Sequence, residues 1–328
     1  MQMKKVVAGI DIGGTKISIA VAESGGGIKS KRQFATQSSS GPFSAFDKMS
    51  EALDQMLAEE PFDFEAIGVG SPSPIDVRKG LIMSPSNLPE WSEFPIVDLL
   101  YKRFGVPVKL ENDANAAAIG ECVYGAGRGH KNIFYLTIST GIGAGLIING
   151  ELYQGVSTAA GEIGHTIIQP DGILCNCGSR GCLETICAGV HIARRARERV
   201  ENGEASMLSS MLINTDAITA RTVVDAARQG DALATEIWDE TCHFLAIGIA
   251  NMITLIAPEI VIVGGGIAAA GDLLFSQLSK RVPHFVSMVP ADKINIVPAE
   301  LGTESGLYGA IAIAHELISS NLRIVYAA

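Results

Sequence analysis

The sequence predicts an α/β protein built on a duplicated strand–turn–strand unit, with a nucleotide held between its two halves. Two β-branched runs, KKVVAGI (4–10) and Lys16 to Ala22, are joined by the glycine turn DIGGT. The same pattern returns at Asn132 to Thr137, STGIGAG (139–145) and Leu146 to Asn149. A third strand, Glu259 to Val263, ends in Gly264-Gly265-Gly266 ahead of a helix near Asp272 to Lys280, and that strand–glycine–helix order is also nucleotide-binding grammar.

Each element has a local reason. In the first turn, backbone N–H groups can cradle a phosphate. Thr15 adds a hydroxyl there, Lys16 a positive charge, and Asp11 a carboxylate able to hold magnesium through water. Gly41 to Glu60 is an amphipathic helix with Phe43, Phe46, Met49, Leu53, Met56 and Leu57 on one face. Ala66 to Gly70 is a buried strand leading into the stiff loop SPSPID. A second loop, SPSNLPEW (84–91), carries Asn87 and Trp91, groups suited to a polar ligand, and both loops read equally well as plain connections. After a helix at Ile96 to Phe104 and a strand at Val106 to Glu111 comes ENDANAAAIGE (111–121). An Asp at the start of a helix is most often its N-cap. The doublet Asn112-Asp113 nevertheless stands at the carboxyl end of a strand, where open α/β sheets bind ligands and a carboxylate against a sugar hydroxyl can act as general base.

The densest chemistry lies in GEIGHTIIQPDGILCNCGSRGCLE (161–184). His165, Cys175, Cys177 and Cys182 supply four soft ligands of the kind that close a structural zinc site. Glycines between them allow the turns of a knuckle, and a metal there would fix the flanking Glu162 and Glu184. A helix from about Glu184 to Arg199 follows, with a basic outer face read as solvated. Residues 201–217 read as an irregular surface loop or subunit contact. Helices are expected from Thr219 to Gln229 and Asp231 to Ala257, a last strand at Ile294 to Pro298, and a closing helix from Ser305 to Ser319.

Bulk properties narrow the classes. At 328 residues the chain exceeds the usual size of one core, so two domains are expected. A hydrophobic content of 47% with 36 glycines fits a globular fold rich in tight turns. A net charge of -10 argues against a nucleic-acid surface, which would need a basic stripe. Six cysteines, three of them in the knuckle, do not form a disulfide pattern; with no signal-peptide pattern at the start, a cytoplasmic location is expected. Phe244 to Ala257 is apolar but short for a bilayer span, which needs about 20 residues.

Taken together, DIGGTK (11–16), NLPEW (87–91), ENDANAAA (111–118), STGIGAG (139–145), GEIGH (161–165), CNCGSRGCLE (175–184) and IVIVGGGI (260–267) resemble the ROK family of sugar kinases, nearest its ATP-dependent glucokinases. The resemblance runs collinearly along nearly the whole chain. It implies the actin-like, ribonuclease-H-like ATPase fold, two lobes with a cleft between them. The domains expected are a small one of residues 1–118 plus 304–328, and a large one of 119–303 carrying the knuckle.

By motif, the resemblance makes Asp113 the base that deprotonates the sugar hydroxyl. Asn112, Glu162, His165 and Glu184 become sugar contacts, with Asn87 beside them, and His165 serves both sugar and zinc. Cys175, Cys177 and Cys182 complete the metal site. Asp11, Gly13, Gly14, Thr15, Lys16, Thr140 and Gly141 surround the ATP phosphates and Mg2+, and Gly265 and Gly266 lie near the adenosine. The implied reaction is phosphorylation of a hexose, glucose at its 6-hydroxyl first, with an N-acetylmannosamine or N-acetylglucosamine kinase as the alternative and a non-catalytic sugar sensor as the rival from another class. A homodimer or higher homo-oligomer is the family's habit.

Three departures from the family pattern stand out, and two features set the chain apart from particular branches of the family. Pro72-Ser73-Pro74 replaces Pro-Gly-Pro, Ala144 replaces a glycine in the second turn, and Ala188-Gly189 replaces Ser-Gly. Cys177 stands where the fructokinase branch has histidine. Only ten residues precede Asp11, against the helix-turn-helix of the family's repressors.

Overall fold

The computed structural model describes residues 3–23, 27–36, 41–85 and 87–318. Ser86 of the second proline loop and Ser319, the expected end of the closing helix, lie outside the described residues, as do both extremities of the expected small domain.

The chain opens with strands β1 (Lys4–Ile12), β2 (Lys16–Glu23) and β3 (Ile28–Ala35), helix α1 (Gly41–Ala58) and strand β4 (Phe62–Ser71). A short hairpin of β5 (Ile75–Asp76) and β6 (Leu81–Ile82), helix α2 (Ile96–Phe104), strand β7 (Val108–Asn112) and helix α3 (Asp113–Tyr124) follow. The first sheet has the order β3-β2-β1-β4-β7, antiparallel at the β1–β2–β3 end and parallel from β1 through β4 to β7. β3 had no counterpart in the sequence reading. Its IKSKRQFA is charged because it is an edge strand, and a charged edge resists pairing with another chain.

The second half supplies β8 (Ile133–Ile138), β9 (Ile142–Ile148), β10 (Glu151–Leu152), helices α4 (Glu184–Cys187), α5 (Gly189–Glu201), α6 (Ala220–Arg228) and α7 (Ala232–Ile256). β11 (Ile260–Gly264), α8 (Asp272–Phe285), β12 (Ile296–Pro298) and α9 (Ser305–Ile318) complete it. Its sheet runs β10-β9-β8-β11-β12, so both sheets place their third, second, first, fourth and fifth strands in the same sequence. The duplication read from the two glycine turns is therefore a duplication of sheet topology. Residues 207–217, expected to be irregular, form a 3-10 stretch. Asp231 anchors its start, accepting from Met207 N at 2.6 Å and Ser206 Oγ at 3.1 Å.

The chain divides into two compact units. The first comprises Met1–Lys131, Gly145–Ala160 and Glu304–Ala328, and the second Asn132–Ala144 and Gly161–Thr303. The expected boundary after residue 118 falls inside α3, which belongs whole to the first unit. In that unit the core lies between the sheet and α1, where Met49, Leu53 and Met56 recur at helical spacing and are fully buried. Phe43, expected on the same face, is 63% exposed and only edges onto Phe94.

On the sheet's other side α9 lies close enough to touch backbone. A Cβ at Gly9 would stand 2.7 Å from Ile311 Cγ1, and one at Gly68 would strike the Ala310 carbonyl. Glycine is what lets this helix settle there. Among the described residues, no helix is long and apolar enough to cross a membrane.

Candidate active site

In the first unit the site begins where β7 passes into α3. The cap of α3 is Asn112 rather than Asp113. Asn112 keeps extended backbone (φ -63, ψ 144), and its side chain accepts from Ala114 N at 2.9 Å and Asn115 N at 3.1 Å. Asp113 therefore stands inside the first turn, where the helix dipole favours a carboxylate. Its Oδ1 accepts from Ala114 N at 2.8 Å and from Asn112 Nδ2 at 3.1 Å. Asn112 Nδ2 also donates to Ser73 Oγ at 2.9 Å, so the serine that departs from the family pattern bonds directly to an expected sugar contact.

Beneath the doublet Glu111 is fully buried. Burial pushes its carboxyl up, but Asn112 N, Asn115 Nδ2 and Gln154 Nε2 donate to it at 2.9, 2.9 and 2.7 Å. Sequence reasoning overlooked Glu111 as a support. Its signal was its place as the first letter of ENDANAAA.

The first glycine turn is closed by Gly13 N–H donating to the Lys16 carbonyl at 2.9 Å, and by Thr36 Oγ1 donating to the Gly13 carbonyl at 2.6 Å. Thr15 and Lys16 are exposed. Asn87 lies against this turn, since a Cβ at Gly14 would be 2.7 Å from Asn87 Nδ2. Trp91, expected to meet a ligand, is a core residue instead, 0% exposed and edge-on to Phe94 at 5.2 Å. Asp11 sits between Gly70 and Gly306, where a Cβ on Gly306 would reach within 2.9 Å of Oδ1. Burial first, and the nearby Asp113 charge second, push the Asp11 carboxyl up to about 7, with Lys16 opposing. A buried carboxylate whose ionisation is opposed by burial and by a nearby negative charge is the kind of oxygen donor that a divalent cation such as Mg2+ stabilises.

In the second unit GEIGH packs on the start of β9. Gly161 faces the Ala144 carbonyl, and a Cβ at Gly164 would crowd that of Ile142. Glu162 is exposed and His165 half-buried. The knuckle folds back on this segment, with Ile168 N donating to Gly181 O at 3.0 Å and Leu183 N to Thr166 O at 3.0 Å. Gly178 and Gly181 take φ of +92° and +69°, which side-chained residues rarely adopt.

His165, Cys175, Cys177 and Cys182 bring their ligand atoms within 4.8 Å of one another. Bond lengths of about 2.3 Å to sulfur and 2.0–2.1 Å to nitrogen space two sulfurs about 3.8 Å apart in a tetrahedral zinc site, and a sulfur and a nitrogen about 3.6 Å apart. Cys177 Sγ lies 3.6 Å from Cys182 Sγ, and Cys175 Sγ lies 3.6 Å from His165 Nδ1. The four residues fit that ion, and Nε2 is the ring nitrogen this leaves for other use. Burial pushes the Cys182 thiol up to about 12, whereas the backbone bond from Ser179 holds exposed Cys177 down at about 7.

Three pieces of the second unit converge on one cavity of about 600 Å³. Ser139 and Thr140 of the turn, Gly189 at the start of α5, and Gly266 after β11 line one part of it. Gly265 has φ +82° and no room for a Cβ against Ile138, and Gly189 N–H donates to Ser139 O at 2.8 Å. Val190, Ala193, Val224 and Ile267 give apolar walls, with Arg197 among the lining residues. Arg197 Nε is buried without a partner among the described residues. The basic face of α5 is thus not simply solvated. Arg197 faces the cavity, and Arg195 donates to Ile186 O at 2.9 Å and to Thr241 Oγ1 at 2.5 Å. Helical spacing from Val190 and Ala193 was the signal that places Arg197 on the cavity side.

Residues 7–317 match the model of the ROK family. A glucokinase of Thermotoga maritima is 36% identical over 315 residues, covering 96% of this chain and 99% of its own length. An N-acetylmannosamine kinase of Yersinia pestis is 32% identical over 302 residues, with 92% of this chain and 95% of the relative covered. Among solved structures, a ROK glucokinase of Streptomyces griseus in complex with glucose and AMPPNP superposes with a TM-score of 0.79 at 34% identity, covering 95% of this chain and 99% of that one.

Proposed function

The chain belongs to the ROK family and has its actin-like fold in two lobes, and on that footing we propose that it is an ATP-dependent hexose kinase acting first on glucose. What supports this reading most is the second unit's assembly. His165 belongs to the ligand set that would hold zinc, Glu184 follows the last of those ligands by two positions, and Glu184 is bonded to the glycine turn that borders the cavity. The expected sugar ligands and the expected phosphate turn are thus joined by a hydrogen bond within one unit.

In this reading Asp113 accepts the proton of the attacking sugar hydroxyl. Asn112, Glu162, His165 and Glu184 orient the remaining hydroxyls, each carboxylate able to accept from two neighbours. The turns around Gly13, Gly14 and Thr15 and around Thr140 and Gly141, together with Lys16, bind the phosphates, and Asp11 faces the cation. Mg2+, when bound, neutralises charge on the transferring phosphoryl group. Gly265, Gly266 and the apolar walls of the cavity receive the nucleoside. Zinc is structural, and a cytoplasmic homodimer is the proposed setting.

The second reading is an N-acetylmannosamine or N-acetylglucosamine kinase. The observation behind it is the Ser73–Asn112 bond, which puts a hydroxyl where the family pattern has only glycine. ADP release with ATP, Mg2+ and a panel of glucose, mannose, fructose, N-acetylglucosamine and N-acetylmannosamine decides. Turnover led by glucose supports the first reading, and turnover led by an acetylated sugar replaces it with the second. No turnover with any sugar would overturn both in favour of a binding protein without catalysis.

A further inference from the structure

We infer that Glu184 is a positioning residue for the nucleotide turn as well as a sugar ligand, so that one carboxylate joins the two substrates; this rests on the kinase reading above. Glu184 Oε2 accepts from the backbone N–H of Ile142 at 2.8 Å. Ile142 opens β9 directly after the turn, and Gly141 makes room for the contact, since a Cβ there would lie 2.8 Å from the same oxygen. The turn is otherwise held at its other end. Ser139 N donates to Gly141 O at 2.9 Å, and Ser139 O accepts from Gly189 N at 2.8 Å. Glu184 thus pins the side of the turn that the start of α5 does not reach.

Glu184 is itself well anchored. It begins α4 two residues after Cys182, Leu183 beside it is fully buried, and Leu183 N donates to Thr166 O at 3.0 Å. The line from metal ligand to carboxylate to turn is therefore short and stiff. One oxygen is committed to Ile142, and among the described residues no hydrogen bond engages Oε1, which is the atom left for a sugar hydroxyl. A carboxylate bond to a backbone N–H is charge-assisted and ranks among the stronger kinds. Its loss should loosen the turn before any sugar arrives.

The test separates this role from plain sugar contact by measuring nucleotide binding without sugar. Mg-ADP is titrated into wild-type, Glu184→Ala and Glu184→Gln proteins by calorimetry, with glucose affinity measured separately. Glu184→Ala should weaken ADP about tenfold in the absence of sugar, the loss of one such bond. Glu184→Gln keeps an oxygen for Ile142 N–H, so ADP affinity should return to within about twofold of wild type while glucose affinity stays reduced. ADP affinity unchanged in Glu184→Ala overturns the inference and leaves the kinase reading intact, whereas a wild type that binds neither ADP nor glucose overturns that reading instead. If Glu184→Ala does not fold, hydrogen exchange on the wild type decides. The Ile142 amide should be protected without ligands and should exchange faster once a chelator has removed the knuckle's metal; rapid exchange from the outset overturns the inference.

Discussion

Replacing Gly309 by alanine sets two effects of known size against each other at the contact that positions the two N-terminal carboxylates. Alanine in a helix interior is favoured over glycine by about 1 kcal/mol. Here, however, the new Cβ would strike the carbonyl oxygen of Ala116 in α3 and stand 2.9 Å from its Cα. The facing position is equally tight, since a Cβ at Gly120 would lie 2.8 Å from Gly309 N. Both obstacles are backbone, so no rotamer change relieves them and α9 must move away from α3 along its length. Overpacking costs typically about 1–3 kcal/mol, and a backbone obstacle puts this case at the upper end.

Steric cost wins, leaving a net loss of about 2 kcal/mol; at roughly 2–4 °C per kcal/mol, melting should fall by about 4–8 °C. Function should suffer with it. α3 begins at Asp113, while Gly306 in the first turn of α9 faces Asp11, so a shift between the helices moves one carboxylate against the other. Misplacement by about 1 Å can cost on the order of 10²-fold in rate. Calorimetry and a coupled assay of sugar phosphorylation, run well below the melting temperature, read both quantities. Gly248→Ala in α7 is the comparison for melting alone, because the nearest atoms to its Cβ are the far end of the Leu183 side chain and not backbone. Melting of Gly309→Ala at or above wild type, with unchanged kcat, would show that helix propensity outweighs the backbone clash.

Other outcomes follow from the same geometry. Asp113→Asn keeps an oxygen for Ala114 N–H, so the melting temperature should hold while kcat falls by about 10²–10⁴, the usual worth of a general base; undiminished kcat would remove Asp113 from that role. Cys177→Ser should bring bound zinc below one per chain, lower the melting temperature and weaken glucose binding, and full glucose affinity in demonstrably metal-free protein would defeat the structural-zinc proposal. Asp11 has a folded-state pKa raised to about 7, so its contribution to stability is complete below the ordinary carboxylate range and is lost as pH rises through about 7. In protein free of nucleotide and Mg2+, Asp11→Asn should therefore match wild type in melting near pH 4 and exceed it at pH 8, by up to about 2 kcal/mol for this half-buried group; a difference that does not grow with pH contradicts that cause. Arg197→Met should raise KM for ATP about tenfold while leaving KM for sugar unchanged, and an unaltered donor KM would exclude Arg197 from nucleotide binding.

What the sequence alone determined is what short spacing encodes. Cysteines and a histidine within eighteen positions, glycines at fixed places in a turn, and an Asn-Asp doublet after a strand are local patterns, and a knuckle or a glycine turn forms from its own few residues. The repeated turn also carried the duplication, which the two sheet orders express.

Only tertiary structure decided which of two neighbouring polar residues caps α3, because Asn112 is held there by Ser73 and by the backbone over buried Glu111. It turned Trp91 inward, since Phe94 and the core around α1 offer an indole more apolar contact than a loop surface does. It set Arg197 on a cavity wall instead of in solvent, and gave Glu184 a second partner in Ile142, forty-two positions away. β3 escaped notice for the same reason, because an edge strand is specified by the neighbour it pairs with more than by its own alternation. Contacts between residues far apart in the chain leave no period or spacing to read, and they decide which face of each side chain is used.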